Sequence, residues 1–366
     1  MTTGHVTHYY AGGNTARGFA NQIDSSLQGL ERLYILQGGP GTGKSTIIRE
    51  VGARMTESGF DIWLLHRPSD NDALDGVIIP ALKTGVVNGM PPRVVHPRLP
   101  ADNVRYVNLD EAFDEGRLAS GKSAIDSLSE QIAFAHSRAY SGFAEALRIH
   151  DDWEAVYIAN MDFEAADQLT TRYIRQLFGG NRPGKSGRVD HRFLGAATPR
   201  GAVDFVPNLT EGLKRYFIKG RPGSGKSTML KKLAAAGSER GFDVEVYHCG
   251  FDPNSLDMVI VRELGFAIFD STAPHEYFPE RDTDEIVDMY AHCIKPGTDE
   301  KYAAAISGFK DRYSAKMKES IGHLAQAKTL QDEQTALYRS AVDTRLADEI
   351  RDRIVGEITL LTADAT

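Results

Sequence analysis

The chain has 366 residues, of which 41% are apolar and 25% charged, and its formal net charge is −8 with a pI near 5.8. This average globular composition excludes a disordered or collagen-like chain, and the acidic balance argues against a nucleic-acid partner. There is no apolar run long enough for a transmembrane helix, no secretory signal, and too few cysteines for a disulfide framework. We therefore expect a cytoplasmic protein without a membrane partner.

Half of the chain repeats the other half. Lys44 and Lys226 lie in nearly identical glycine-rich stretches, 182 residues apart, and this offset holds without a gap for residues 34–97 of the first copy. Self-similarity on this scale marks a duplicated structural unit. Glycines and a proline within residues 179–185 punctuate the join between the copies. The sequence therefore predicts two domains, 1–182 and 183–366, each ending in a helical tail.

Both copies show the same order of predicted elements. An apolar strand leads into the glycine-rich turn, then come a helix, a second strand, a third apolar stretch and a long helical tail. In the first copy these elements cover residues 33–37, 45–57, 61–65, 77–87 and about 123–178. In the second copy they cover residues 216–219, 227–239, 243–247, 259–269 and about 301–361. The alternation predicts an α/β fold with two tandem doubly wound parallel sheets, each carrying its own C-terminal helical hairpin.

The strongest chemical signal is the phosphate-binding pattern G-x-x-x-x-G-K-[ST]. Here a strand delivers a loop whose backbone N–H groups wrap phosphate oxygens at a helix N-terminus, the Lys reaches the phosphates, and the hydroxyl binds Mg²⁺. Two copies stand between a predicted strand and a predicted helix, and we expect both to bind nucleotide. They are loop A (Gly38, Gly39, Pro40, Gly41, Thr42, Gly43, Lys44, Ser45 and Thr46) and loop B (Gly220, Arg221, Pro222, Gly223, Ser224, Gly225, Lys226, Ser227 and Thr228).

The same string occurs twice more, in contexts that do not suit phosphate. Residues 116–123 follow an acidic segment and are predicted to begin a helix. Residues 179–186 lie in the join between the copies, and no helical pattern follows them. Both matches are interpreted as structural.

A carboxylate at the end of a neighbouring strand is expected to support Mg²⁺ in such a site. Asp270 supplies it in the second copy, whereas the aligned residue of the first copy is Asn88, a neutral amide. Ser45, Ser227 and Asp270 are therefore the predicted metal ligands, and the second site is predicted to be the better equipped. Asp110, after a further apolar segment, is a competing carboxylate for the first site. No Glu follows Asp270, so the activation of water needs a base from elsewhere or the reaction uses a different acceptor.

A histidine ends the second strand of each copy. His66 and His248 would lie at the carboxyl edge of the sheet, where ligands bind in open α/β folds. Two interpretations are open: positioning of substrate or water, with the imidazole as donor or base, and hydrogen bonds that cap a loop. Together with Lys44, Lys226 and Asp270 they make up the predicted catalytic residues.

At its two loops the sequence resembles P-loop NTPases, and the whole-chain duplication is similar to an uncharacterised bacterial family of two-Walker-A ATPases. The resemblance implies ATP and Mg²⁺ as cofactors, nucleotide contacts through both loops, and Mg²⁺ support at Asp270. We expect a Mg²⁺-dependent ATPase that works as an intramolecular pseudo-dimer switch and reports its state to an unidentified protein partner. A kinase that phosphorylates a nucleotide or another small molecule is the alternative.

Overall fold

Sixteen strands and ten α-helices occur in residues 3–363, the part of the chain that the computed structural model describes. The strands are β1 (Val6–Tyr10), β2 (Gly12–Thr15), β3 (Gly18–Asn21), β4 (Arg32–Gln37), β5 (Ile62–His66), β6 (Leu74–Ile79), β7 (Thr84–Asn88), β8 (Val104–Asn108), β9 (Val189–Phe193), β10 (Gly195–Thr198), β11 (Gly201–Asp204), β12 (Lys214–Lys219), β13 (Val244–His248), β14 (Leu256–Val261), β15 (Phe266–Asp270) and β16 (Glu285–Asp288). The helices are α1 (Ile23–Ser26), α2 (Lys44–Glu57), α3 (Glu115–Ile158), α4 (Phe163–Phe178), α5 (Val206–Leu209), α6 (Lys226–Glu239), α7 (Met289–Cys293), α8 (Thr298–Lys301), α9 (Ala303–Ser340) and α10 (Thr344–Leu360). Within this described part, no helix has the length and apolar character that crossing a membrane requires.

Twelve of the strands form one continuous sheet. Their order is β16-β12-β15-β14-β13-β9-β1-β5-β6-β7-β4-β8. Each copy of the repeat contributes six neighbouring strands, and the halves meet where β1 and β9 pair antiparallel through Tyr10 and Phe193. The α/β class is confirmed, but the prediction of two separate sheets is wrong, because β1 and β9 join the copies edge to edge and leave neither half with a free edge there.

The third apolar stretch of each copy is a hairpin rather than one strand. β6 and β7 run antiparallel across a turn at residues 80–83, where Lys83 adopts a left-handed φ of 45°. β14 and β15 pair in the same way. A parallel pairing would need a crossover of about a dozen residues, which this connection lacks. The predicted all-parallel sheets are therefore corrected to a mixed sheet, in which β4 and β12 keep parallel neighbours on both sides.

The helical tails are exchanged between the copies. α4 belongs to the first copy, yet Leu169 and Tyr173 pack with Leu230 of α6 in the core of the second. α10 belongs to the second copy, yet Ile354 packs with Ile48 of α2 in the core of the first. The predicted docking of each hairpin on its own copy is therefore wrong. The reason is length: the 44 residues of α3 extend about 66 Å and carry the chain across the molecule.

The long helices α3 and α9 pack side by side in opposite directions. Gln334 Nε2 donates to the carbonyl oxygen of Ile125 at 3.2 Å, and farther along the pair Gly142 faces Ser320. A Cβ at Gly142 would lie 2.2 Å from Ser320 Oγ, so glycine is what allows this close approach. Residues 116–123 lie in the first turns of α3, and residues 179–186 lie between α4 and β9, as the structural interpretation of both strings predicted.

An arginine is buried at the seam between the two halves of the sheet. Arg192 on β9 is 1% exposed. Its guanidinium carbon lies 4.3 Å from the ring centre of Tyr9 and 4.6 Å from that of Trp63. Nη1 donates to Glu245 Oε2 at 3.2 Å and to the hydroxyl of Tyr247 at 3.1 Å. The planar group is thus held by ring faces and by two acceptors.

Replacement of Arg192 by lysine is expected to lower the free energy of unfolding by about 1–2 kcal/mol, since an ammonium group keeps the charge but has no planar face to stack on Tyr9 and Trp63. Urea unfolding followed by circular dichroism measures the change. The control is Arg182→Lys in the exposed join between the copies, which should stay within about 0.5 kcal/mol of wild type. Equal midpoints for both variants would contradict this role for the guanidinium group.

Candidate functional site

Loops A and B share one backbone geometry. Each follows the strand of its half sheet that has parallel neighbours on both sides, and each opens a helix whose first residue is the loop lysine. Gly41 and Gly43 have φ of 80° and 90°, and Gly223 and Gly225 have φ of 75° and 86°. Left-handed residues of this kind turn backbone N–H groups inward and form an anion-binding concavity at a helix N-terminus.

Lys44 closes loop A on itself. Its Nζ donates to the carbonyl oxygens of Gly38 and Gly39, the latter at 2.7 Å, and to Thr42 Oγ1 at 3.1 Å. Burial, followed by repulsion from Arg67, lowers the pKa of Lys44 to about 8. The ammonium group is therefore held at the loop, against backbone carbonyls that a phosphate can replace.

Lys226 lies between its loop and a carboxylate. Its Nζ donates to the carbonyl oxygen of Arg221 at 2.9 Å and lies 3.6 Å from Asp270 Oδ2. The register that pairs Ile218 with Asp270 brings this carboxylate beside the strand that leads into loop B. The same register in the first copy pairs Leu36 with Asn88. In both halves the predicted strand-end residue thus lies on the strand next to the one that leads into the loop.

The predicted hydroxyl ligands lie at the start of the two helices. Ser45 Oγ accepts a hydrogen bond from the backbone N–H of Leu74, and Ser227 Oγ accepts one from Leu256, both at 2.9 Å. These bonds tie each loop to the strand that follows the histidine-bearing strand. Ser45 and Ser227 therefore have the same local environment, and any difference in metal binding must come from the carboxylates and cations around them.

Each loop opens into a cavity that is covered by the long helix of the other copy. Cavity A, of about 930 Å³, lies between loop A and α9, and cavity B, of about 1140 Å³, lies between loop B and α3. A Cβ at Gly41 would lie 2.9 Å from Arg339 Cγ, and one at Gly223 would lie 2.6 Å from the carbonyl oxygen of Glu154. These volumes are of the order that holds small-molecule ligands. The exchange of helices therefore gives each cavity walls from both copies.

Glu154 occupies the mouth of loop B. Its Oε1 accepts a hydrogen bond from the N–H of Gly223 at 3.2 Å. His150 and Asp151 lie beside it, and one ligand atom from each of the three residues lies within 4.8 Å of the others. In loop A, the N–H of Gly39 donates to Asp110 Oδ1 at 2.7 Å. In each loop, a side-chain carboxylate thus accepts a hydrogen bond from a backbone N–H that could bind a phosphate oxygen. A phosphate that binds the Gly223 N–H must displace Glu154.

Behind loop A, Asp75 is neutralised by two arginines. Arg67 Nε donates to its Oδ1 at 2.8 Å, and Arg93 Nε donates to its Oδ2 at 2.5 Å. Asn88 Nδ2 also donates to Oδ1, at 3.3 Å. Burial alone would raise the pKa of Asp75, but the two guanidinium groups hold it below its usual value. Both oxygens of this carboxylate are therefore occupied by protein donors.

The aligned positions behind loop B hold different chemistry. Asp257 keeps the buried carboxylate, while Cys249, Asp270 and His275 stand in place of Arg67, Asn88 and Arg93. His275 turns away from Asp257, and its Nδ1 lies 2.7 Å from Oδ2 of an aspartate at the end of β11. Burial, followed by the charge of Asp270, raises the pKa of Asp257 to about 6. In residues 3–363 neither Asp257 nor Asp270 has an arginine partner.

The donor set behind loop B fits Mg²⁺ better than the donor set behind loop A. Ser227, Asp257 and Asp270 offer a hydroxyl and two carboxylates, the hard oxygen ligands that Mg²⁺ prefers. Around Ser45, Asp75 is bonded to arginines and Asn88 directs its amide nitrogen at that carboxylate. Ser45, Ser227 and Asp270 as metal ligands, and the weaker first site, stay predictions.

The structure does not bring the two predicted histidines into the cavities. His66 Nε2 lies 2.8 Å from His8 Nδ1, and His248 Nε2 lies 2.9 Å from His191 Nδ1. Burial, followed by the neighbouring imidazole, lowers the pKa of His66 to about 4. Neither His66 nor His248 is among the described residues that line cavity A or B. The interpretation as a loop-capping group fits His248, whose Nδ1 also lies 2.7 Å from the carbonyl oxygen of Pro253.

Sequence reasoning missed several residues of the site. Arg67 and Arg93 could have been found by comparing the copies, since they align with Cys249 and His275 at the constant offset. Glu154 and Arg339 carried no signal, because nothing local indicates that a helix covers the loop of the other copy. These missed residues are the ones that differentiate the two cavities.

Comparison of the chain with protein-family models, with curated proteins and with solved structures found no significant match. The two cavities are therefore interpreted from their own residues.

Proposed function

We propose that the chain is an ATP-binding protein with two P-loop sites and Mg²⁺-dependent ATPase activity at loop B. The observation that carries the proposal is the arrangement around Lys226. A glycine-rich loop lies between a central strand and a helix N-terminus, its lysine points at the loop, and Asp270 at the end of the adjacent strand lies 3.6 Å from that lysine. Phosphoryl transfer needs little more than such positioning and charge stabilisation.

Different residues of cavity B bind the nucleotide, hold the metal and stabilise charge during the reaction. Ser227, Asp257 and Asp270 would hold Mg²⁺, which when bound neutralises charge on the β- and γ-phosphates. The loop amides bind phosphate oxygens, and Lys226 exchanges the carbonyl oxygen of Arg221 for the γ-phosphate, where it stabilises charge as the phosphoryl group leaves. Lys44 and the amides of loop A bind phosphate in the same way.

The exchange of helices supports the expectation of an intramolecular switch. Phosphate that reaches the Gly223 amide displaces Glu154, which belongs to α3. α3 packs along α9, and α9 covers loop A through Arg339. Nucleotide bound at one loop therefore acts on α3 and α9, the helix pair that covers both loops, and so couples the two sites. The outer face of this helix pair is the surface available to a partner.

Glu154→Gln is expected to increase ATP affinity at loop B about fivefold, because the neutral amide competes less well than a carboxylate for the Gly223 N–H and no longer repels the phosphates. Titration with a fluorescent ATP analogue measures this in the Lys44→Ala background, where only loop B binds. Glu145→Gln, at an exposed position of the same helix that pairs with Lys316, is the matched control. Unchanged or weaker binding by Glu154→Gln would contradict the displacement.

The activity itself is tested by phosphate release from ATP by the purified chain, with Mg²⁺ and with competing GTP to identify the preferred base. We expect turnover that depends on Mg²⁺. A wild-type chain that takes up no ATP in the presence of Mg²⁺ would overturn the proposal.

One observation favours a kinase as the second candidate. Cavity B has an aromatic wall beside the loop, in which His150, Phe251 and Tyr313 lie with ring centres 5.7–6.1 Å apart. Such a wall could hold an organic acceptor near the γ-phosphate. Conversion of ATP to ADP with a phosphorylated product, in place of free phosphate, would favour this reaction over hydrolysis.

A further inference from the structure

The two copies place opposite chemistry around the same buried aspartate. At the positions aligned with Cys249 and His275, the first copy has Arg67 and Arg93. Both arginines bind Asp75 through Nε and line cavity A. Within residues 3–363 the Nη1 group of each has no hydrogen-bond partner. The guanidinium groups therefore present free donors to the cavity from the positions where the second copy has a thiol and an imidazole.

The charged side chains that line the two cavities differ in the same direction, with more cations in cavity A and more carboxylates in cavity B. Six cationic side chains line cavity A against three carboxylates, and the cations are Lys44, Arg49, Arg67, Arg93, Lys328 and Arg339. Five cationic side chains line cavity B against eight carboxylates, among them Glu154, Asp257 and Asp270. The lining of cavity A thus has a formal excess of three positive charges, or two when the buried Asp75 behind its arginines is included, and the lining of cavity B has an excess of three negative charges. A polyphosphate without a cation suits the first cavity, and the same anion enters the second only with a cation to offset the carboxylates.

Arginine is also the side chain best suited to replace a metal at a phosphate. Its planar group is always charged, and with Nε held by Asp75 the Nη1 group remains to donate to a phosphate oxygen. Asp75 fixes the orientation of both guanidinium groups, so little further ordering is needed when a ligand binds. Lys328 and Arg339 add two charges from α9, the covering helix of the other copy.

We propose that loop A binds a nucleoside triphosphate without a divalent cation, with Arg67 and Arg93 in the electrostatic place of the metal, whereas loop B requires the cation. The inference rests on the proposed nucleotide binding at both loops. It assigns different tasks to the copies: loop A retains its nucleotide and holds α9 in place, and loop B turns over.

The test compares two variants of the full chain, each with one loop disabled. Lys226→Ala leaves loop A, and Lys44→Ala leaves loop B. Binding of a fluorescent ATP analogue is titrated in Mg²⁺ and in EDTA, and a thermal melt verifies that each variant is folded. For loop A we expect dissociation constants that agree within about threefold in the two buffers, and for loop B a loss of about tenfold or more in EDTA.

A second measurement needs no substitution. Mn²⁺, which replaces Mg²⁺ and is visible by electron paramagnetic resonance, is titrated into wild-type protein saturated with ATP. We expect one bound Mn²⁺ for two bound nucleotides. Two bound Mn²⁺, or a loss at loop A in EDTA as large as that at loop B, would overturn the inference and leave the proposed ATPase standing. Absence of ATP binding by wild type and by both variants in Mg²⁺ would overturn the proposed function and this inference with it.

The cation dependence is expected to follow the three exchanged residues. In the Lys226→Ala background, Arg67→Cys, Asn88→Asp and Arg93→His together give loop A the donors of loop B. We expect ATP binding by this folded variant to require Mg²⁺, with a loss of about tenfold or more in EDTA. Binding that stays equal in both buffers would contradict the assignment to these residues.

Discussion

Lys226→Ala is expected to lower ATP turnover by about 10²–10³-fold, because the ammonium group is the cation that the structure directs at loop B and charge stabilisation of this kind is a large part of phosphoryl-transfer catalysis. Lys44→Ala is expected to remove binding at loop A while leaving most of the turnover, since cavity A lacks the carboxylates of cavity B. Steady-state phosphate release with Mg²⁺ measures both effects.

The matched control is Lys232→Ala. Lys232 is exposed, six residues farther along the same helix, and pairs with Asp167. Its removal should leave turnover within about twofold of wild type. Equal activity of Lys226→Ala and wild type would refute the assignment of turnover to loop B, and a total loss in Lys44→Ala would show that the sites cannot act separately.

Ile354→Ala is expected to lower the free energy of unfolding by about 2–5 kcal/mol, as truncation of a fully buried isoleucine usually does. Ile354 is 0% exposed and belongs to α10 of the second copy, but it packs in the core of the first copy, with Ile48 of α2. The loss of stability should therefore appear first around loop A. Hydrogen exchange should increase in α2 more than in α6.

The mirror variant and a surface variant complete this experiment. Leu169→Ala on α4 of the first copy, 6% exposed, should loosen α6 more than α2. Leu360→Ala, at a position of α10 that is 71% exposed, should change stability by no more than about 0.5 kcal/mol. Faster exchange in α6 after Ile354→Ala would indicate that each tail packs on its own copy.

The local elements around both loops followed from the sequence. The strand before loop A and the helix after it are β4 and α2, and their bounds lie within a residue of the predicted ones. The prediction succeeds because a short apolar run and a glycine-rich turn ending in lysine are each recognisable within a few residues of sequence. The sequence also showed that the two copies differ at the end of this strand, since the amide Asn88 and the carboxylate Asp270 occupy aligned positions. The hairpin between β6 and β7 was missed because periodicity does not separate one apolar stretch from two strands joined by a tight turn.

The orientation of side chains at the site lay beyond sequence reasoning. Arg93 and His275 align, yet Arg93 binds Asp75 and His275 binds Asp204, a residue of a different hairpin. His66 lies on the predicted strand end but pairs with His8, whose strand β1 was not predicted. Partners of this kind come from segments far apart in the chain, and the pattern around one residue carries no information about them.

The sequence by itself determined that the chain is a duplicated α/β unit with two lysine-bearing glycine loops and that one copy lacks a strand-end carboxylate. Only the tertiary structure decided that the copies share one sheet and exchange their helical tails, so that Glu154 covers loop B and Arg339 covers loop A. The physical reason is that the copies bury chemically equivalent apolar faces. Either face can accept either tail, and the choice is made by the length of α3 and by the packing of α3 against α9.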